Sequence, residues 1–296
     1  MTNLFDPALE ALIAEQQAFN ASVPDDIPAN IPPAPPATEL PAEARDISGV
    51  PVRIIRPADA AAGIYLHFHG GGFVEGSAAM ADYPNRHIAK TIGAVTVSVD
   101  YRLAPAHPFP AARDDCFTVA RWLLDHGAAE FGADRIVIGG DSVGATLAVM
   151  VLLQLRDASG AAKRVAGASL VAGNYDLSGT PSQRRTTPDK FLSPRRLGQT
   201  RECAFPGRTG EALRDPAIST LYADLADMPP ALFTVGTQDV VLDDSMFMAA
   251  RWRAAGNSAE LAIYPEGRHL LLAQPTKMAR AARSRIHHFI AERLKA

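Results

Sequence analysis

Ser142, Asp239 and His269 are of the residue types, and in the chain order, that nucleophilic acyl transfer uses. A serine hydroxyl is a poor nucleophile near neutral pH unless an imidazole takes its proton. That imidazole in turn needs a carboxylate to fix its tautomer and stabilise its charged form. Ser142 lies in Gly140-Asp141-Ser142-Val143-Gly144, a Gly-x-Ser-x-Gly set between the apolar run Ile136-Val137-Ile138 and an apolar stretch from Val143 to Leu155. The first run reads as a buried parallel strand and the second as a buried helix. A serine at so sharp a turn is lifted above the sheet edge, and flanking glycines let strand and helix approach without Cβ clashes. The helix then aims its unpaired N–H groups at any oxyanion that forms there. The pentapeptide alone also fits a glycine-rich strand-to-helix turn in any α/β protein, so the other parts of the chain must decide.

A second motif, His69-Gly70-Gly71-Gly72-Phe73, follows a short buried-looking strand over residues 63–68. Three consecutive glycines leave backbone N–H groups unshielded, and donation to an anion is the use that justifies so entropically costly a loop. The alternative is a flexible turn. Asp239 lies in the loop after the strand 231–236, at the strand's carboxyl edge. Asp243 and Asp244 fall in the first turn of a helix beginning near Leu242, where the helix dipole favours carboxylates without any catalytic role. His287 and His288 lie on the terminal helix, and His126 lies near a helix end.

The elements that must position these residues alternate along the chain. A hairpin at a sheet edge is expected over 45–57, with a turn at Gly49. Strands are expected over 63–68, 94–99, 136–138, 165–171, 231–236 and 259–264. Helices are expected over 78–92, 111–125, 143–155, 242–255 and 275–294. Such alternation predicts an α/β protein with a parallel sheet covered on both faces, and ligands beyond the carboxyl ends of its strands. Two segments break the rhythm. Residues 3–20 carry apolar side chains at helical spacing with a start at Asp6-Pro7, and seven prolines over 24–41 make the following stretch an extended tether. Residues 178–215 are rich in Arg, Pro, Thr and Gly, with helical spacing around Ser193 to Glu202. An insertion of that length at the catalytic edge predicts a lid or cap, against which the N-terminal helix would pack.

A hydrophobic fraction of 47% with 21% charged residues predicts a soluble globular chain whose 296 residues can bury a sizeable core. A formal net charge of −3 gives no basic footprint for nucleic acid. No apolar run is long enough to span a membrane, and the first nineteen residues, with Asp6, Glu10 and Glu15, do not read as a secretion signal. A cytoplasmic protein is expected. Cys116 and Cys203 stand in unrelated contexts, so neither a disulfide framework nor a zinc site is supported, and both are expected to be reduced and structural.

His69–Gly72, the loop Tyr101-Arg102-Leu103-Ala104-Pro105 continuing through His107-Pro108-Phe109-Pro110, the Gly140–Gly144 turn, Asp215-Pro216 and the Asp239/His269 pair together resemble the hormone-sensitive-lipase-like bacterial esterases. The resemblance runs from about residue 45 to the C-terminus. It implies an α/β-hydrolase fold: a mostly parallel central sheet with helices on both faces (45–177 and 216–296) and a helical cap formed by 1–44 and about 178–215. It implies a serine carboxylesterase acting on small-molecule, short-chain esters through an acyl-enzyme, with no cofactor and no metal, and leaves a homodimer open. Carried over by residue, Ser142 is the nucleophile, His269 the general base and Asp239 its orienting acid. Gly71, Gly72 and Val143 supply the oxyanion hole through their backbone N–H groups, and His69 braces the glycine loop. The chain departs from the family pattern at Ala106, Val143, Ala145, Thr220 and Leu270-Leu271, and the bulk of Val143 narrows the expected acyl pocket. Two alternatives remain: an amidase or formamidase on the same apparatus, or a small-molecule receptor of the same fold like the plant gibberellin receptors. The latter resemble the family but have lost the histidine, so His269 argues for catalysis.

Overall fold

The computed structural model of the protein describes residues 4–23, 39–185 and 191–295. An eight-stranded sheet organises it: β1 (Glu43–Ile47), β2 (Val50–Ile55), β3 (Gly63–Phe68), β4 (Ala94–Val99), β5 (Ile136–Asp141), β6 (Val165–Val171), β7 (Ala231–Gly236) and β8 (Ala259–Tyr264), in the order β1-β2-β4-β3-β5-β6-β7-β8. β1 and β2 are antiparallel, and from β4 onward all pairs are parallel. β3, β4 and β7 are buried along their whole length, as near-continuous apolar strands covered on both faces must be. β8, at the far edge, is only half-buried over its first four residues.

Among the described residues eight α-helices accompany the strands: α1 (Ile13–Ser22), α2 (Asp82–Ile92), α3 (Ala111–Phe131), α4 (Val143–Ser159), α5 (Pro181–Arg184), α6 (Pro194–Ala204), α7 (Leu242–Ala254) and α8 (Lys277–Lys295). The main core packs α3, α4 and α7 against one face of the sheet, with α4 burying twelve of its residues. On the other face Ile88 of α2 and Ile286, Phe289, Ile290 and Leu294 of α8 pack against Tyr65, Val137 and Leu232. Three expected boundaries move outward. β5 continues through Gly139-Gly140-Asp141, α3 runs on to Phe131, and α4 to Ser159, the two helices closing at Gly132 and Gly160 in left-handed conformation.

The register places the site. Phe68 pairs with Val99 and Gly140, Asp141 with Val171, Val171 with Thr234, and Gly236 with Tyr264. The loops after β3, β5, β6, β7 and β8 therefore leave the sheet along one edge. From β3 the chain goes first to β4 on one side and then to β5 on the other, so the loops after β3 and β5 diverge around a crevice at that switch point.

The N-terminal segment is helical as its spacing predicts, a 3₁₀ turn over Pro7–Leu12 with Asp6 as N-cap leading into α1. Its attachment is more than a tether. The residues α1 buries are Gln16 and Asn20. Gln16 donates to the Gln274 side chain at 2.7 Å and accepts from the Thr276 hydroxyl at 2.8 Å, while Asn20 donates to the Glu266 carbonyl at 2.9 Å. Leu9, Leu12 and Ile13 pack beside them against the Tyr264–Leu271–Met278 cluster. The proline-rich stretch over 24–38 and residues 186–190 of the insertion lie outside the described residues.

Candidate active site

Ser142 stands between β5 and α4 with φ 56° and ψ −123°, a backbone conformation that a residue with a Cβ adopts at a cost. Two things hold it there. Its N–H donates to the Val171 carbonyl at 2.8 Å, tying the turn to the end of β6. The flanking glycines permit the close approach: a Cβ on Gly144 would lie 2.0 Å from the Phe68 carbonyl oxygen, and one on Gly140 2.5 Å from that same atom. No residue but glycine fits either place.

His269, in the loop after β8, brings its Nε2 to 2.8 Å from the Ser142 Oγ. Its Nδ1 lies 3.0 Å from each carboxylate oxygen of Asp239, in the loop after β7. Asp239 Oδ1 also accepts the Val241 N–H at 3.0 Å, which fixes the carboxylate at the head of α7. Asp239 and His269 are both buried. Three residues from the loops after three strands thus form one hydrogen-bonded line.

The glycine loop lies alongside. Gly71 and Gly72 have φ of 123° and 63°, and a Cβ on Gly71 would lie 1.9 Å from the Glu75 carbonyl oxygen. The Gly71 carbonyl accepts from Val74 and Glu75, closing the loop into a tight turn. Beneath it His69 stacks on Tyr101 with ring centroids 4.1 Å apart, and the Tyr101 hydroxyl donates to the His69 carbonyl at 2.7 Å. Burial pushes the His69 imidazole down to about 4, the Gly70 carbonyl at 2.7 Å only partly offsetting it. A neutral ring sealed under the loop braces it and exchanges no proton near pH 7.

The alpha/beta hydrolase fold family matches residues 65–273, a span that holds the glycine loop, the serine turn and all three members of the hydrogen-bonded line. The chain belongs to this family. Esterase LipI of Mycobacterium tuberculosis is 35% identical over 212 residues, 69% of this chain, and the match spans 64% of LipI, a little under two thirds of its length. The ethyl acetate hydrolase of Pseudomonas putida is 32% identical over 241 residues, 78% of this chain and 74% of its own. The crystal structure of a hormone-sensitive lipase from a metagenome library superposes with a TM-score of 0.79 at 30% identity, covering 99% of this chain and 94% of that one. Within the alpha/beta hydrolases, the chain is thus of the bacterial hormone-sensitive-lipase-like esterase group.

In this α/β-hydrolase the hydrogen-bonded line opens into a cleft of about 60 Å³. Ser142, His269, Gly71, Gly72 and Val143 form its floor. Its roof comes from Phe191 and α6, including Leu197, Thr200 and Arg201, with Phe191 lying near-parallel to the His269 ring at 6.4 Å between centroids. Residues 4–23 supply none of the lining. Arg196 of α6 pairs with Glu75 of the glycine loop and lies over the Phe191 ring, 4.9 Å from its centroid. Among the described residues no three His, Cys, Asp or Glu side chains converge as metal ligands, and no helix is long and apolar enough to cross a membrane.

Asp244 corrects the sequence reading. It is fully buried, and its carboxylate accepts from the N–H groups of Tyr175 (2.9 Å) and Asp176 (3.0 Å), the Thr180 hydroxyl (2.7 Å) and the Gln183 amide (2.8 and 3.0 Å). Asp243 accepts from the Ser182 N–H at 2.7 Å. The two carboxylates hold the start of the insertion, α5 included, against α7, which a helix dipole alone does not require. The local sequence carries no signal for this, because the donors Thr180, Ser182 and Gln183 stand in a polar stretch, Ser178-Gly179-Thr180-Pro181-Ser182-Gln183-Arg184. Arg201, which lines the cleft, is not singled out by the sequence, although Leu197, Thr200 and Arg201 at i, i+3 and i+4 share one helix face.

Proposed function

We propose that the protein is a serine carboxylesterase. Ser142 Oγ attacks the ester carbonyl as His269 Nε2 takes its proton, and Asp239 holds the Nδ1–H tautomer and stabilises the imidazolium. The tetrahedral oxyanion is met by the N–H groups of Gly71, Gly72 and Val143, which donate to no backbone carbonyl among the described residues. His269 returns the proton to the leaving alcohol and an acyl-serine remains. Water, deprotonated by the same imidazole, attacks the acyl carbon; the bond from that carbon to Ser142 Oγ breaks, the imidazolium returns its proton to Oγ, and the acid leaves. The observation that carries this reading is the unbroken Ser142–His269–Asp239 line, 2.8 and 3.0 Å, assembled at the floor of the cleft. It also favours an enzyme over a receptor of the same fold, which needs no proton acceptor at 2.8 Å from the serine.

The test is Ser142→Ala. Hydrolysis of a short-chain 4-nitrophenyl ester should fall to near background with an unchanged circular dichroism spectrum, because the turn serine makes few packing contacts. Retention of more than a small fraction of the wild-type rate removes Ser142 from the mechanism.

A further inference from the structure

Two arginines of α6 line the cleft, and they differ in charge balance. The Arg196 guanidinium is neutralised by Glu75. Among the described residues Arg201 has no carboxylate within ion-pair distance, and its guanidinium makes one hydrogen bond, from Nη1 to the Leu177 carbonyl at 3.0 Å. A guanidinium carries five N–H donors, so most of this one remains available to an acceptor in the cleft. Asn174, which lines the same cleft, uses its side-chain oxygen to accept from Gln183 and its backbone N–H to donate to Thr146, while its amide N–H₂ finds no acceptor among the described residues. The surrounding walls are apolar: Phe73, Leu177, Leu197 and Phe205. Low-dielectric walls strengthen an ion pair formed between them and focus the field of an uncompensated charge. The wider charge distribution agrees, since residues 178–215 hold eight Arg or Lys against four Asp or Glu in a chain of net charge −3.

Resting on the serine esterase reading, we propose that Arg201, with the Asn174 amide, makes this cleft select esters that carry a carboxylate close to the scissile bond. Monoesters of short dicarboxylic acids, or acyl esters of short hydroxy acids, are the chemical class. The carboxylate meets the guanidinium fork and the amide while the ester carbonyl lies over Ser142. Arg196 adds no net charge.

Two probe pairs test this. On the acyl side, 4-nitrophenyl hydrogen glutarate is compared with neutral 4-nitrophenyl pentanoate. On the alcohol side, O-acetyl lactate is compared with its neutral amide. Each is measured with the wild type and with Arg201→Gln and Arg201→Lys. In at least one pair the wild type should favour the anionic ester in kcat/KM, and Arg201→Gln should lower the anionic-to-neutral ratio about 10–100-fold, the range for a lost hydrogen bond to a charged group. Arg201→Lys, which keeps charge but not the fork, should fall between. Equal loss on both members of each pair would show that Arg201 acts only by holding the Leu177 loop, and would overturn the proposal. A wild-type preference for the neutral member in both pairs would overturn it as well. Failure of the esterase reading is separately visible, because neutral pentanoate would then be hydrolysed no faster by the wild type than by Ser142→Ala.

Discussion

Asp239 and Asp244 stand five residues apart at the head of one helix, and the donors each receives separate their roles. Asp239 serves the imidazole of His269, so Asp239→Asn should leave the ring in the wrong tautomer and lower kcat by about 10³–10⁴-fold, the magnitude of the worked serine-protease triad. Asp244 serves backbone and side-chain donors of the 175–183 segment. Asp244→Ala orphans the buried N–H groups of Tyr175 and Asp176, at about 1–3 kcal/mol for each buried group, which a urea titration should register as a lowered midpoint. Asp243→Asn, which keeps an acceptor for Ser182, should cost roughly 1 kcal/mol or less. Burial pushes the Asp244 carboxyl up to about 7 while its donors pull it down. Its folded value thus lies above the unfolded value of about 3.9, so the native chain binds this proton more tightly. That contribution is complete below about pH 4 and is lost as pH rises through about 7. The stability difference between wild type and Asp244→Asn should therefore move against the wild type from pH 5 to pH 8, and a constant difference would show that the carboxyl does not titrate there. Ser142, Asp239 and His269 were legible because each closes a strand in the right chain order. Asp244 was not, because its partners come from a segment some sixty residues upstream, which helical position alone cannot reveal.

Strands and helices were legible where apolar runs are long and end at turn residues, as in β3, β4, β6 and β7. Boundaries drifted where a strand ends in glycines, as at Gly139-Gly140, or where a helix continues through small and polar residues, as α3 does through Gly127-Ala128-Ala129-Glu130 to Phe131. For α1 the apolar spacing gave the element, but its docking rests on the amide side chains of Gln16 and Asn20. Gln16→Ala should consequently cost about 1–3 kcal/mol by leaving buried partners unpaired, seen as a lower melting temperature. Were the melting temperature unchanged, apolar contacts alone would be holding this helix. Phe191 and α6 roof a cleft far smaller than the roughly 300–1,000 Å³ of most ligand sites, with Val143 in its floor. Acyl chains of about two to six carbons should be preferred, an estimate that rests on the resemblance to the esterase family and on the limits of a bounded pocket. A series of 4-nitrophenyl esters from acetate to palmitate checks this, and a rate that climbs to palmitate would mean that the roof does not bound the acyl chain.

At the scale of the whole molecule, α/β alternation made the sheet and its working edge predictable, whereas the joining of the chain's two ends was not. Ser142 and His269 touch across 127 residues, and Gln16 meets Thr276 across 260. Contacts of such sequence separation form late, because the loop they close must first lose its entropy. During synthesis the N-terminal helix thus leaves the ribosome long before its docking surface on α8 exists, and the serine turn can form without a base to activate it. Ester hydrolysis accordingly reports on completion of the chain as well as on chemistry. In refolding from urea, activity should return after the far-UV circular dichroism, and a chain ended before β8 should be inert towards esters even where its central sheet has formed. A newly made molecule would then stay chemically silent until its last strand and helix are in place.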